Sequence, residues 1–138
     1  MECAIMVHVK SAMSTKDLGS IGENIAVEFL KRKGYSIRDR NYRRPTGEID
    51  IIAQKENVVC FVEVKAISRE TSEDISREKN DYRPEEQVHP AKLQKIMRTA
   101  EYYMAEKGDT REYRIDVVGV FMDIKRKKAR CRLLVNVL

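Results

Sequence analysis

Tryptophan is absent from the 138 residues, and cysteine (three), proline (three) and glycine (six) are all scarce. With so little Pro and Gly, no flexible linker divides the chain, and its length suits a single domain with one continuous core. Cys3, Cys60 and Cys131 are odd in number, far apart and without a CxxC partner. That excludes a disulfide framework and a cysteine-based zinc site, and it fits a reducing, cytoplasmic setting. No apolar run approaches the roughly 18 residues of a membrane span. The start, Met1 to Lys10, carries Glu2 where a signal peptide has a basic stretch. Nor is there a large excess of one charge: 27 Lys+Arg against 22 Asp+Glu leave a formal +5, which permits a nucleic-acid partner without demanding one.

What the chain does have is 42% hydrophobic and 36% charged residues, enough for a packed core under a wet surface. Residues 1–15 read as an N-terminal extension and 16–138 as the domain. Leu18, Ile21, Gly22, Ile25, Phe29 and Leu30 follow a helical period that Gly34 terminates. Three strands follow: Tyr35 to Arg43, polar enough for a sheet edge; Glu48 to Lys55; and Val58 to Ala66, apolar enough to be covered on both faces. Residues 67–88 are dense in charge and read as a long mobile loop. Pro90 opens a second helix, with Leu93, Ile96, Met97, Ala100, Tyr103 and Met104 as its buried stripe and Gly108 as its stop. Tyr113 to Asp123 and Arg132 to Leu138 are the last strands, separated by the basic turn Lys125 to Lys128. A helix crossing between the third and fourth strands makes those two parallel. The fold class is therefore α/β, a mixed central sheet flanked by helices in the order helix, three strands, helix, two strands.

The chemistry is concentrated in the hairpin. With Glu56-Asn57 as a two-residue loop, Lys55 faces Val58, which sets Asp50 opposite Glu63 and Glu48 opposite Lys65. Period two places Asp50, Ile52, Phe61, Glu63 and Lys65 on one face. Directly opposed carboxylates, with Cβ atoms about 4.5–5.5 Å apart, destabilise a sheet unless a shared proton, a basic side chain or a divalent cation compensates. Mg²⁺ or Mn²⁺ suits a pair such as Asp50 and Glu63, and Lys65 beside it can orient or deprotonate an attacking water. A plain Glu63–Lys65 ion pair with a solvated Asp50 is the alternative. Glu23 borders the apolar stripe of the first helix and could reach this site. Equally, Ser20-Ile-Gly-Glu23 has the form of a capping box, which would make Glu23 a helix-starting residue.

Gly19-Ser-Ile-Gly22-Glu23, Gly34-Tyr35, Arg40-Asn41-Tyr42-Arg43, Gly47-Glu48-Ile49-Asp50 and Phe61-Val62-Glu63-Val64-Lys65 occur in that order. Together they resemble the YraN family of bacterial proteins, which is grouped with the restriction-endonuclease-like PD-(D/E)XK nucleases and archaeal Holliday-junction resolvases. Lys92 and Arg114-Ile-Asp-Val-Val118 extend the match, which covers roughly residues 17–123. The resemblance implies a restriction-endonuclease-like core, Asp50 and Glu63 as metal ligands, Lys65 as the catalytic lysine and Glu23 as a further acid. Ile49 stands where the nuclease signature has proline, and residues 67–86 are longer and more acidic than the family leads one to expect.

Arg38, Arg40, Tyr42, Arg43 and Arg44 form a basic tract running into the motif turn, and phosphate contact or a charge-blunted edge strand both explain it. Lys92 at the start of the second helix is a further phosphate contact, and Gln87, just before that helix, a weak addition to the site. Lys95 and Arg98 read as a wet helix face, and neither His8 nor His89 as a ligand. Asp116 reads as structural, bonded to Lys92 or a helix terminus; Cys60 reads as packing, facing away from Glu63. The leading expectation is a Mg²⁺/Mn²⁺-dependent endonuclease acting on DNA, with branched or repair intermediates as substrates. A symmetric homodimer would be needed for cutting both strands. The alternatives are a non-catalytic nucleic-acid-binding module on the same fold, and an adaptor acting through loop 67–88.

Overall fold

A computed structural model describes residues 2–6, 14–69 and 88–137. Its elements are β1 (Glu2–Met6), α1 (Thr15–Arg32), β2 (Ser36–Arg44), β3 (Gly47–Lys55), β4 (Val58–Arg69), α2 (Pro90–Glu106), β5 (Glu112–Asp123) and β6 (Lys128–Leu134). They form one six-stranded sheet in the order β1-β6-β5-β4-β3-β2. Only β4 and β5 run parallel, as the crossover through α2 requires; every other neighbour is antiparallel. This is the expected mixed α/β sheet with a restriction-endonuclease-like core. Among the described residues no helix is long and apolar enough to cross a membrane.

Three boundaries differ from the sequence reading. Glu2–Met6, expected within an extension, pair along β6 as the outermost strand; β6 would otherwise leave a row of backbone groups unpaired. The last strand begins at Lys128 rather than Arg132, because the turn after β5 closes early, with Lys127 in the left-handed region at φ 53°. The loop expected over 67–88 lies mostly outside the described residues, but β4 runs on to Arg69 beside β5 and Val88 is buried.

Each helix lies on its own face of the sheet. Under α1, Ile25, Ala26, Phe29 and Leu30 pack on Ile51, Cys60, Val62, Val118 and Val120. Under α2, Ile96, Ala100, Tyr103 and Met104 pack on Ile49, Ile52, Phe61 and Ile115. Cys60 and Phe61 thus serve opposite cores, which is the alternation of a strand covered on both sides.

Local signals set the helix ends. Ser14 caps α1 by accepting from the Asp17 N–H at 3.1 Å, while the Asp17 carboxylate accepts from the Ser14 N–H at 3.1 Å. The capping box is therefore Ser14–Asp17, and the Ser20–Glu23 alternative is overturned: both residues lie inside α1, beyond the reach of unpaired N-terminal amides. At the other end Gly34 takes φ +90°, letting the Gly34 N–H reach the Lys31 carbonyl and the Tyr35 N–H reach the Leu30 carbonyl. Gly108 ends α2 in the same way, with Asp109 donating to the Met104 carbonyl.

Gly22 sets how closely α1 approaches the sheet. A Cβ there would stand 2.7 Å from the Ala66 Cβ, whereas one at Gly19 would meet nothing within 4 Å. Gly22→Ala should therefore cost about 1–3 kcal/mol through overpacking, despite alanine's better helix propensity. Gly19→Ala should gain ~0.5–1 kcal/mol. Urea denaturation of the two variants checks this, and equal signs would contradict it.

Candidate active site

The hairpin register is as expected: Lys55 pairs with Val58, Ile52 with Phe61, and Ile51 with Val62. The paired ladder ends there, one step short of Asp50 and Glu63. Ile49 and Ile51 should share a face by alternation, yet Ile49 lies in the α2 core and Ile51 in the α1 core. The strand therefore turns over at Asp50. Its neighbour in β2 does the same: Arg40 pairs with Ile51 and Tyr42 with Ile49, while the intervening Asn41 sits at φ 52°.

This kink takes Asp50 off the single face expected for Asp50, Ile52, Phe61, Glu63 and Lys65, whereas Ile52, Phe61 and Glu63 do share the α2 side. Asp50 turns toward β4, where its Oδ2 accepts the Val64 N–H at 2.8 Å. A backbone donor left over where the ladder stops is thus satisfied by the acid itself. Glu63, 2% exposed, is reached from the α2 side by Lys92, with Nζ 2.5 Å from Oε1. Asp50 instead lines a cavity of about 380 Å³ on the α1 side, together with Glu23, Gly19, Val64 and Ser68; Lys65 borders that cavity from β4, whose unbroken register with β5 keeps it in alternation with Val64. Asp50 is the hinge between the two: Glu63 acts on it from one side and Glu23 from the other.

The electrostatics follow from this arrangement. Burial first, then the charge of Glu63, push the Asp50 carboxyl up to about 7, against the lowering effect of the Val64 amide. Glu23 is raised by burial, then by the charge of Asp50, and its buried Oε1 has no hydrogen-bond partner. Burial works to lower Lys92, but its hydrogen bond to Glu63 and the surrounding acids outweigh it and the ammonium is held above its usual range. Asp50 and Glu23 are thus short of positive charge, while Glu63 has Lys92 against it.

That shortage is the test of whether a divalent cation fits. Two carboxylates around a broken ladder and an unpartnered acid oxygen nearby are hard oxygen donors of the kind Mg²⁺ and Mn²⁺ take. Among the described residues no three His, Cys, Asp or Glu converge into a metal cage. An ion held by Asp50 and Glu63 would therefore complete its shell with water or substrate oxygen, which is the ordinary habit of Mg²⁺.

The basic tract divides between the two faces. Arg40 donates to the Asn24 side-chain oxygen at 2.8 Å, next to Glu23 on α1. Arg43 is 77% exposed, with Glu48 at 3.4 Å. Arg44 pairs with Glu106 and stacks on Tyr42 and Tyr102, and Tyr42 meets the Tyr103 ring edge-on at 5.1 Å. Arg38 pairs with Asp109 at 3.2 Å. Arg38, Tyr42 and Arg44 therefore clamp β2 against α2 and its exit, while Arg40 stays near Glu23 and Arg43 lies out at the surface beside Glu48. Gln87 lies outside the described residues. Asn24 was missed in the sequence, where nothing but its position after Glu23 marks it.

Asp116 does not meet Lys92. It is fully buried and accepts from Arg114 Nε at 3.1 Å, the Asn136 N–H at 2.9 Å and Tyr35 OH at 3.4 Å. Lys92 is drawn to Glu63 because that carboxylate opens onto the first turn of α2, whereas Asp116 faces Tyr35 at the end of α1. Cys60 packs under α1, on the face away from Glu63, as expected.

The sequence profile of the uncharacterised protein family UPF0102 matches residues 22–120. A UPF0102 protein of Caldicellulosiruptor saccharolyticus is 38% identical over 125 residues, covering 90% of this chain and 98% of that one. Others from Flavobacterium psychrophilum (40% identical, covering 81% and 87%) and Campylobacter jejuni (36%, covering 77% and 85%) are similar. Among solved structures, Pyrococcus furiosus SfsA in complex with Ca²⁺ aligns at a TM-score of 0.35 and 14% identity over 88% of this chain and 62% of that one, too distant a likeness for any argument. At this level of identity over nearly the whole length of its relatives, the chain belongs to the uncharacterised family UPF0102, the YraN family.

Proposed function

We propose that this protein is a metal-dependent endonuclease that hydrolyses phosphodiester bonds in DNA, with branched or repair intermediates as its substrates. The observation that carries the reading is the break at Asp50. It puts a proton-holding acid between the buried Glu63 and a cavity lined by Lys65 and Glu23. A sheet tolerates such a break at a cost, and the break serves to aim these groups at one place.

Asp50 and Glu63 would hold Mg²⁺ or Mn²⁺, which supplies charge for the phosphate oxygens and an acidified water. The Val64 amide keeps one Asp50 oxygen fixed, so its other oxygen is the one presented. Lys65, in the cavity wall, orients the attacking water and balances charge building on the phosphate. Glu23 is poised to accept the water's proton, since burial and the charge of Asp50 raise its affinity for one. Arg40, near Glu23, and the exposed Arg43 are phosphate contacts, with Lys92 on the other side. A single site cuts one strand, so paired cuts call for a homodimer.

The test is a cleavage assay on labelled linear and four-way-branched DNA with Mn²⁺ or Mg²⁺. Lys65→Met should slow cleavage by ~10²–10⁴-fold, and Glu63→Gln should abolish it while leaving the fold intact. Full activity in Glu63→Gln would rule the assignment out. The Lys92–Glu63 ion pair favours a second reading, a binding module whose acids are neutralised internally. It predicts salt-sensitive DNA binding with no cleavage in any divalent metal.

A further inference from the structure

We infer that Lys92 is a resident counter-cation of Glu63: its ammonium holds the place that a divalent metal takes, so metal enters only by swinging Lys92 out. The inference rests on the reading of Asp50 and Glu63 as metal ligands.

Glu63 is 98% buried, and a carboxylate that deep is not kept charged without a cation or strong donors. Lys92 Nζ, at 2.5 Å from Oε1, is the cation it has. The position is otherwise a poor one for lysine. Lys92 lies in the first turn of α2, where the helix dipole disfavours positive charge, and no acidic residue in that turn offsets it. What favours it there is the buried acid below. Yet the Lys92 side chain remains 46% exposed, on a flexible stem at the helix start. It can rotate into water without moving α2, whose hold on the sheet comes from Ile96, Ala100 and Tyr103 further along. An ammonium and a divalent ion drawn to the same carboxylate of Glu63 repel each other at contact distance. Binding of one must therefore weaken the other, by equal factors in each direction.

Mn²⁺ titration of the full chain without nucleic acid, followed by calorimetry, tests this. Lys92→Met keeps the length of the stem and removes the charge; it should bind Mn²⁺ tighter than wild type by about tenfold or more. Lys92→Arg keeps the charge and should stay close to wild type. Lys95→Met removes a lysine one turn further along α2 and should change affinity less than about twofold, which separates direct displacement from a general loss of positive field. Should Lys92→Met fold poorly without metal, the same affinity is read from the Mn²⁺ concentration that restores its helical circular dichroism. Equal or weaker binding by Lys92→Met overturns the counter-cation role and leaves the two acids as metal ligands. No Mn²⁺ binding by wild type and Lys92→Met alike overturns the metal reading itself, and this inference with it.

Discussion

In metal-free buffer at pH 8, Asp50→Asn should be more stable than the wild type. The Asp50 carboxyl is raised from its ordinary 3.8 to about 7, by burial first and by Glu63 second. In the window between those values the folded protein holds a proton that the unfolded chain has released. Stability from this group is therefore complete below about pH 4 and is lost as pH rises toward 7. Asparagine carries no charge at any of these values, and its side-chain oxygen can still accept the Val64 amide, so the decline should largely vanish. A smaller slope remains from Glu23, whose carboxyl is also raised. Each pH unit of difference corresponds to about 1.4 kcal/mol; discounted for the partial exposure of Asp50, the variant should gain ~2 kcal/mol at pH 8, or several degrees in melting midpoint. Mn²⁺ should then raise the wild-type midpoint and leave that of Asp50→Asn unchanged, because a ligand stabilises only the state that binds it. Thermal unfolding of both proteins from pH 4 to 8, with and without Mn²⁺, reads the whole pattern. A variant weaker than wild type throughout, with no metal response in either, would make Asp50 a purely structural residue.

The second large effect belongs to Asp116. Its carboxylate is wholly buried and joins Arg114 on its own strand, Tyr35 after α1 and the backbone of Asn136 beyond β6. Asp116→Ala would strand the Tyr35 hydroxyl and the Asn136 N–H and leave Arg114 without its carboxylate. Breaking a buried pair from one side costs ~3 kcal/mol or more, so the urea midpoint should fall well below wild type. Tyr35→Phe, which removes the 3.4 Å bond to Asp116 and the 3.3 Å bond accepted from Arg114, should cost about 1–2 kcal/mol. Because the two share a network, the double variant should lose less than the sum. The Mn²⁺ response should survive in all of them, since Asp116 bonds to Arg114, Tyr35 and Asn136, none of which lines the acid cavity. A loss under about 1 kcal/mol for Asp116→Ala would mean that the network stabilises nothing.

Much of the fold was legible because its signals are local. Helical spacing around Phe29 and Leu30, Gly34 after the helix, Pro90 before the next and the Glu56-Asn57 turn each act over a few residues. The hairpin register likewise follows from loop length alone. The structure departs from those signals where two of them compete or a partner lies far along the chain. Ser14-Thr-Lys-Asp17 and Ser20-Ile-Gly-Glu23 are both capping patterns, and the longer helix won because Leu18 and Ile21 add apolar contacts to the core. Glu2–Met6 carries no sign of its strand until β6 offers an edge.

The site divides along the same line. By itself the sequence determined the order of elements, the two-faced burial of β4 and the convergence of Asp50 on Glu63, since chain geometry alone brings those two together. Only the tertiary structure decided that Asp50 leaves its face to take the Val64 amide, that Glu23 is aimed at it from α1, and that Lys92 pairs with Glu63. The physical reason is that a buried carboxylate takes its partner from whatever packing places nearest. Here that is the first turn of a helix whose position depends on the whole α2 core.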